Sequence, residues 1–335
     1  MTRWMTGGFV ALAVALCASG SLAGVMIGAH VGSENDPNYQ AEVQALEASI
    51  GRQTAIDTGY DDWGAFPDMA RLRWDMRTGR LPMQSWRILF DNANPNACAT
   101  WRDIVSGVYD VQLNRQVNLV KSLGGTVLVR YNFEMTNNPE NTCFTEFPVN
   151  NNMQLAGTRY ILAWRHVVDL FRAAGATNVL WVWCPGADAY VHNTWNLFYP
   201  GSNYVDWIGM DDYNIVDVAV RFSTDPGVVQ FASQMPALGK PMIIAENAAF
   251  NDPSMAPDPQ TAWVTDARSF LKTVPQIAAY IYWDSYGANN PPPPPPYDGS
   301  GYVLKGHGLG AFRALANDPY FGDMFGEARV KPKPR

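Results

Sequence analysis

Eight short apolar segments recur along the chain, and each is followed by a helical pattern or by a gap long enough to hold a helix. Runs of this length, rich in valine, isoleucine and aromatic residues, are typical of strands. They occupy residues 25–31, 52–58, 82–90, 125–133, 178–184, 204–213, 241–247 and 277–284. Alternation of strands with helices predicts an α/β protein with a parallel sheet.

The helical patterns between these strands are clearest at residues 38–50, 102–123, 158–174 and 260–273. Gly51, Gly124 and Gly175 follow three of them, and glycine at that position commonly ends a helix. Eight such units within about 300 residues predict a single-domain (β/α)8 TIM barrel. A doubly wound open sheet is the alternative, but the segment VGSENDP after the first strand is not the glycine-rich phosphate loop usual there.

The two ends of the chain read differently from the barrel pattern. Arg3, an apolar run and small residues near Ala23 predict a signal peptide over residues 1–23, and therefore a secreted or extracytoplasmic protein. The run is too short for a typical membrane span, although a retained N-terminal anchor is the alternative. We expect the catalytic barrel domain at 24–325 and a basic tail at 326–335. The six prolines at 291–296 predict a polyproline II loop after the eighth strand.

The charge and composition of the chain indicate which kind of molecule it binds. The net charge is −7, aromatic residues make up 13% of the chain, and no basic stripe occurs outside the tail. This pattern argues against a nucleic-acid binder and favours a neutral ligand. We expect a monomer without stable membrane insertion.

Three cysteines remain once the signal peptide is set aside. In an exported chain an odd number suggests one disulfide and one buried thiol. We predict that Cys98 pairs with Cys143, because both lie in loop-like sequence rich in asparagine and proline, and that Cys184 packs in the core. The four histidines are scattered and there is no CxxC or HExxH motif, so we predict neither a metal site nor a cofactor.

Carboxylates and aromatic residues gather at the ends of the predicted strands. In such a barrel the carboxyl ends of the strands form the active face. The residues at these ends include Trp63, Trp86, Glu134, Trp183, Asp211, Tyr213, Glu246 and Trp283. The starts of the strands carry few such residues, which favours a functional face over a purely structural one.

The fourth strand shows the transition most clearly, in the segment VLVRYNFEMTN at 127–137. Period-two geometry predicts that Leu128, Arg130, Asn132 and Glu134 share the inner face, and that Val127, Val129, Tyr131 and Phe133 share the outer one. A buried ion pair between Arg130 and Glu134 is the alternative interpretation. The seventh strand repeats the pattern, because the apolar run MIIAEN ends at Glu246.

Paired carboxylates among aromatic side chains are what glycoside hydrolysis requires. One carboxylic acid protonates the leaving oxygen, while the other attacks the anomeric carbon or activates water. Tryptophan and tyrosine faces can pack against sugar rings, although a single tryptophan is more often part of a core.

The chain resembles glycoside hydrolase family 26, whose β-mannanase-like members are retaining (β/α)8 enzymes. The similarity is carried by residues 100–110, 160–186, 199–214 and 240–247, including the segments GMDDY and KPMIIAEN. It implies that Glu134 is the general acid/base and Glu246 the nucleophile. It also implies that Tyr213 hydrogen-bonds the nucleophile, that Arg130 balances the charge, and that Trp183 and Trp283 are sugar platforms. We further assign Asp211, Trp63 and Trp86 to substrate binding.

Two positions depart from the family pattern. The family usually has histidine before the acid/base glutamate, where this chain has Phe133, and its following Asn-Gly-x-Trp is replaced by TNNP at 136–139. We expect a retaining endo-β-glycanase, with β-1,4-mannan as the first substrate and β-glucan or an envelope polysaccharide as others. A non-catalytic glycan-binding protein on a decayed barrel is the alternative.

Overall fold

Eight parallel strands close into a barrel in the order of the sequence, which confirms the predicted (β/α)8 fold and excludes the open sheet. The structure is a computed structural model that describes residues 24–32, 37–90, 94, 97–136, 146, 152–214, 220–252, 254–285 and 301–322. The strands are β1 (Met26–Val31), β2 (Ile56–Asp61), β3 (Leu81–Trp86), β4 (Val127–Tyr131), β5 (Val179–Trp183), β6 (Trp207–Asn214), β7 (Met242–Ala249) and β8 (Ile277–Asp284).

Helices surround the barrel, and their apolar sides face the strands. Within the described ranges they are α1 (Tyr39–Ile50), α2 (Met69–Arg77), α3 (Trp101–Val105), α4 (Asp110–Ser122), α5 (Met153–Ala173), α6 (Ala187–Val191), α7 (Pro226–Gln234), α8 (Pro259–Phe270) and α9 (Gly306–Ala316). The buried residues form one continuous core that joins the strands to these helices.

The helix boundaries follow local backbone chemistry. Gly51, Gly124 and Gly175 have φ angles of 75°, 70° and 71°, so they end their helices in the left-handed conformation as predicted. The single helix predicted at 102–123 is instead divided into α3 and α4. Gly107 lies between them with φ 81°, a left-handed value that a continuous helix cannot contain.

Several predicted features lie outside the described residues. These are the signal peptide at 1–23, the proline run at 291–296, the basic tail at 326–335, residues 137–139 and Cys143. In the described part of the chain, no helix has both the length and the apolar character needed to cross a bilayer.

Candidate active site

Glu246 accepts hydrogen bonds from side chains on three other strands. The Tyr60 hydroxyl on β2 donates to Oε1 at 2.6 Å, and the Tyr213 hydroxyl on β6 donates to Oε2 at 2.5 Å. The guanidinium of Arg130 on β4 donates to Oε1 and forms an ion pair with it. Only 6% of Glu246 is exposed, so these donors replace water around a buried carboxylate.

An irregularity in β7 aims Glu246 into the barrel. Met210 on β6 pairs with Ile244, but the next residue, Asp211, pairs with Glu246, so Ala245 is passed over. Side chains alternate between the two faces of a strand, and one extra residue therefore reverses the face of every residue after it. The bulge puts Glu246 on the same inner face as Asp211.

Arg130 is fully buried at the centre of this cluster. Its Nη1 donates to Oδ2 of Asp211 at 2.6 Å, and its Nε donates to the hydroxyl of Ser85 at 2.9 Å. Burial disfavours its charge, but the carboxylates of Asp211 and Glu246 outweigh burial and raise the pKa of Arg130 well above its usual value. Arg130 is therefore a cation that lies between the carboxyl groups of Asp211 and Glu246. Its ion pairs are with these two residues, and not with Glu134 as the alternative interpretation had it.

The same environment sets the protonation of Glu246. Burial raises its pKa, but the positive charge of Arg130 and the hydrogen bonds from Tyr213 and Tyr60 lower it by more, so the net pKa lies below the ordinary value. Burial, together with the charge of Glu246, raises the pKa of both tyrosines well above 10. The phenols thus remain protonated donors, and Glu246 remains ionised.

Asp211 responds in the opposite direction. Its burial raises the pKa, Arg130 partly offsets this, and the nearby charges of Glu246 and Glu134 raise it further. The thiol of Cys184, which is free and buried as predicted, donates to Asp211 Oδ1 at 3.2 Å. Asp211 is buried together with Arg130, with 2% of its surface exposed, and its assignment to substrate binding stays a prediction.

Glu134 faces Glu246 from the loop that follows β4. Its backbone N–H donates to the carbonyl of Cys184 at 2.8 Å, and its side chain is partly exposed, unlike that of Glu246. One carboxylate oxygen from each of Glu134, Asp211 and Glu246 lies within 4.8 Å of the others. In the described ranges this is the one group of acidic, histidine or cysteine side chains close enough to share a cation, but Arg130 already neutralises part of it.

The predicted alternation of strand four stops after Tyr131. Asn132 has a left-handed φ of 42°, and its side chain accepts a hydrogen bond from the indole of Trp101 on α3 at 2.7 Å. It therefore faces the helices, whereas Phe133 faces the interior and lies over Arg130. The predicted faces of Asn132 and Phe133 are both wrong, because the left-handed residue turns the chain out of the pleated geometry.

One of the four tryptophans assigned to substrate binding reaches the site. Trp283 packs edge-on to Tyr60, with ring centroids 5.0 Å apart, and is close to Tyr213. Its neighbour on β1, His30, lies 4.2 Å away between ring centroids. Burial, helped by the charge of Arg71, lowers the pKa of His30 to about 4, so this imidazole is neutral and donates its Nδ1 hydrogen to the carbonyl of Thr58.

The other three tryptophans lie behind the barrel wall, which corrects their assignment to substrate binding. Trp63 and Trp86 stack on each other at 4.7 Å, and Trp183 packs edge-on to Tyr199 at 5.1 Å. All three are fully buried. Trp86 pairs in register with Tyr131, an outward residue, so it faces the helices and cannot contact a sugar in the barrel mouth.

Sequence reasoning missed Tyr60 and His30. Tyr60 belongs to the polar run DTGYDDW at the end of the second predicted strand, and His30 lies in the first predicted strand. The available signal was an aromatic hydroxyl on the inner face of a strand. Cys98 is disulfide-bonded, and its pairing with Cys143 stays a prediction because Cys143 is outside the described ranges.

Comparison with known proteins gives a consistent pattern. A sequence model of Glycosyl hydrolase family 26 matches residues 152–254, a range that contains Asp211, Tyr213 and Glu246. Endoglucanase H of Acetivibrio thermocellus is 29% identical over 259 residues, which cover 75% of this chain and 26% of that protein. Mannan endo-1,4-beta-mannosidase A and B of Caldalkalibacillus mannanilyticus is 27% identical over 214 residues, covering 62% of this chain and 36% of that protein.

The chain thus spans about a quarter to a third of the length of these curated relatives. Among solved structures, mannanase man26 of Bacillus subtilis superposes with a TM-score of 0.61 at 19% identity, covering 91% of this chain and 88% of that one. At this identity the superposition shows a shared barrel fold.

Proposed function

We propose that this chain is a member of glycoside hydrolase family 26, whose sequence model matches residues 152–254. We propose further that it is a retaining endo-β-glycanase in which Glu246 is the nucleophile and Glu134 the general acid/base. The observation that carries the proposal is the spacing of these two carboxylates, whose nearest oxygens lie within 4.8 Å. Retaining enzymes hold their carboxyl groups about 5–5.5 Å apart, whereas inverting enzymes need roughly 6.5–9.5 Å to admit a water molecule.

The two carboxyl groups would act in two steps. The ionised Glu246 attacks the anomeric carbon, the glycosidic C–O bond breaks, and the leaving oxygen takes a proton from Glu134. The resulting glycosyl ester is then attacked by water, whose proton goes to Glu134, and the carboxylate of Glu246 is released. Arg130, Tyr60 and Tyr213 favour this reaction by keeping the attacking carboxylate ionised and oriented.

The substrate we propose is a β-linked polysaccharide. β-1,4-Mannan comes first, as the family resemblance implies, and one relative is named as a mannan endo-mannosidase. β-Glucan comes second, since the relative named as an endoglucanase matches a larger share of the chain. Trp283, beside Tyr60 and Tyr213, is the aromatic surface that we expect a sugar ring to contact.

A hydrolysis screen over mannans, β-glucans, xylans and envelope glycans tests this proposal, with the product anomer followed by NMR. We expect the β-anomer to form first and Glu246→Ala to abolish cleavage. Asp110→Asn is the matched control, because this exposed carboxylate pairs only with His166 among the contacts described. First formation of the α-anomer would contradict a retaining mechanism, and undiminished cleavage by Glu246→Ala would exclude the nucleophile assignment.

The same experiment separates catalysis from the glycan-binding alternative. A 2-fluoro glycoside of the reactive sugar that carries an activated leaving group should label Glu246 covalently. The fluorine slows both steps, and the leaving group restores the rate at which the ester forms but not the rate of its release. Binding to a glycan with neither turnover nor labelling would favour a non-catalytic protein.

A further inference from the structure

The ring of Phe133 covers one face of the buried guanidinium that holds the proposed nucleophile. The carbon at the centre of the Arg130 guanidinium lies 3.8 Å from the centroid of the Phe133 ring. We propose that Phe133 is a positioning residue, which fixes Arg130 against Glu246 and Asp211 and keeps water out of this charged cluster. The inference rests on the function proposed for Glu246, and it assigns to Phe133 the role of holding Arg130 in place.

The edges of the guanidinium are already occupied. Its Nε donates to Ser85, Nη1 donates to Asp211, and Nη2 donates to both Tyr60 and Glu246. Water could therefore approach Arg130 mainly through the faces of the planar group. Phe133 closes one of these faces with the negative surface of its π system, an arrangement that attracts a cation.

The backbone is built to put the ring there. Asn132 and Glu134, on either side of Phe133, have left-handed φ angles of 42° and 51°. Such values are uncommon for residues other than glycine, and they persist where surrounding contacts hold them. The hydrogen bond between Trp101 and Asn132 and the bond from the Glu134 N–H to Cys184 supply these contacts.

Phe133 also packs against a second partner of the nucleophile. Its ring lies edge-on to Tyr60, with centroids 6.0 Å apart and planes at 70°. Both rings are buried, and Tyr60 donates directly to Glu246. A single apolar side chain thus constrains two of the three groups that bind this carboxylate.

The pKa of Glu246 can be used to test whether Phe133 holds Arg130 and Tyr60 in place. The titratable groups that face it come from β1, β2, β4, the loop after β4, the residue after β5, and β6: His30, Tyr60, Arg130, Glu134, Cys184, Asp211 and Tyr213. Water admitted beside Arg130 would weaken its attraction for the carboxylate, because charges interact less strongly in a medium of higher dielectric constant. Loss of the ring should therefore raise the pKa of Glu246 towards its ordinary value.

The test compares Phe133→Leu and Phe133→Tyr with Phe171→Leu as the matched control. Phe171 is an equally buried phenylalanine on α5, packed on Trp181 and remote from the cluster. The δ-carboxyl resonance of Glu246 in ¹³C-glutamate-labelled protein is titrated, and Glu246→Gln identifies it. This measurement requires no turnover, so it distinguishes failure of the present inference from failure of the proposed function.

We expect Phe133→Leu to raise the pKa of Glu246, to lower kcat about tenfold and to leave KM within about twofold. A tenfold decrease in kcat corresponds to the loss of one buried cation–π contact. Phe133→Tyr keeps an aromatic face over Arg130, so the pKa of Glu246 and kcat should stay close to the parental values. Phe171→Leu should lower Tm without moving the pKa. If Phe133→Leu does not fold, Phe133→Met provides the same test. An unchanged pKa and kcat in a folded variant would reduce Phe133 to a packing residue and overturn the inference.

Discussion

At the scale of single residues, the ionisation of Glu246 depends on donors that outweigh its burial. Three carboxyl groups share a small volume with one cation, so they cannot all be ionised at the same cost. Glu246 receives two phenol donors in addition to Arg130, whereas Asp211 receives Arg130 and a weak thiol donor. The distribution of donors therefore decides which carboxyl group carries the charge.

Tyr213→Phe removes one of these donors and retains the ring. We expect kcat/KM to fall about 10- to 100-fold, since a hydrogen bond to a charged group contributes roughly 1.5–3 kcal/mol. The pKa of Glu246 should rise as well, so that the acidic limb of the pH–rate profile moves to higher pH. Steady-state kinetics across the acidic range measures both effects.

The control for this variant is Tyr199→Phe, which removes a hydroxyl that contacts only Ser202 among the bonds described. It should leave the profile unchanged. A Tyr213→Phe enzyme with the parental acidic limb would show that the phenol does not contribute to the charge of Glu246.

The strand pattern was sufficient to predict that Glu134, Tyr213 and Glu246 share one edge of a parallel barrel, and the family resemblance implied that Tyr213 and Arg130 act beside Glu246. It was not sufficient for Tyr60, whose importance depends on a contact with a residue 186 positions away. The inward direction of Glu246 depends on the bulge at Ala245, and nothing in the local pattern marks that irregularity.

At the scale of elements, helix α2 is attached to β2 by a buried ion pair. Arg71 on α2 donates to both carboxylate oxygens of Asp57 at 2.8 Å and to the Thr58 carbonyl at 2.7 Å. Asp75 lies one helical turn further along α2. Its burial and the negative charge of Asp57 raise the pKa of Asp75 to about 9, so it is protonated at neutral pH.

This group makes stability depend on pH with a definite sign. The folded state binds a proton on Asp75 that the unfolded state releases near its ordinary pKa of 3.8. The free energy of unfolding should therefore decrease as the pH rises from about 4 to about 9. Asp75→Asn should remove this dependence and raise Tm relative to the parent at pH 8–9, with little difference near pH 5.

Thermal unfolding of both proteins between pH 5 and pH 9 measures the effect. Asp110→Asn is again a suitable comparison, because it removes an exposed carboxylate on α4. Parallel Tm curves for Asp75→Asn and the parent would show that Asp75 is ionised in the folded protein.

The division of the predicted helix at 102–123 is also explained at this scale. The buried positions of α3, Trp101 and Ile104, do not continue at helical spacing into those of α4, which begin at Leu113, and Gly107 lies between the two segments with a left-handed φ. Local signals located the strands and most helix ends, but they did not locate this break.

At the scale of the whole molecule, the direction of each side chain is set by pairing between strands that are distant in sequence. Trp63, Trp86 and Trp183 lie near strand ends, as predicted, yet they face the helices. Whether a residue faces in or out depends on the register of its strand with its neighbours, and a single sequence does not contain that register. Trp283 could not be distinguished from the other three by its sequence context.

Closure of the barrel also divides the charged site between the two halves of the chain. Strand β4 carries the cation Arg130, whereas β6 and β7 carry its two carboxyl partners, Asp211 and Glu246. A chain cut after Gly175, an exposed turn residue, would place Arg130 on one fragment and its partners Asp211 and Glu246 on the other. We expect each fragment alone to be inactive, and hydrolysis to appear only when fused binding partners bring them together, so this barrel could serve as a split-enzyme reporter of association.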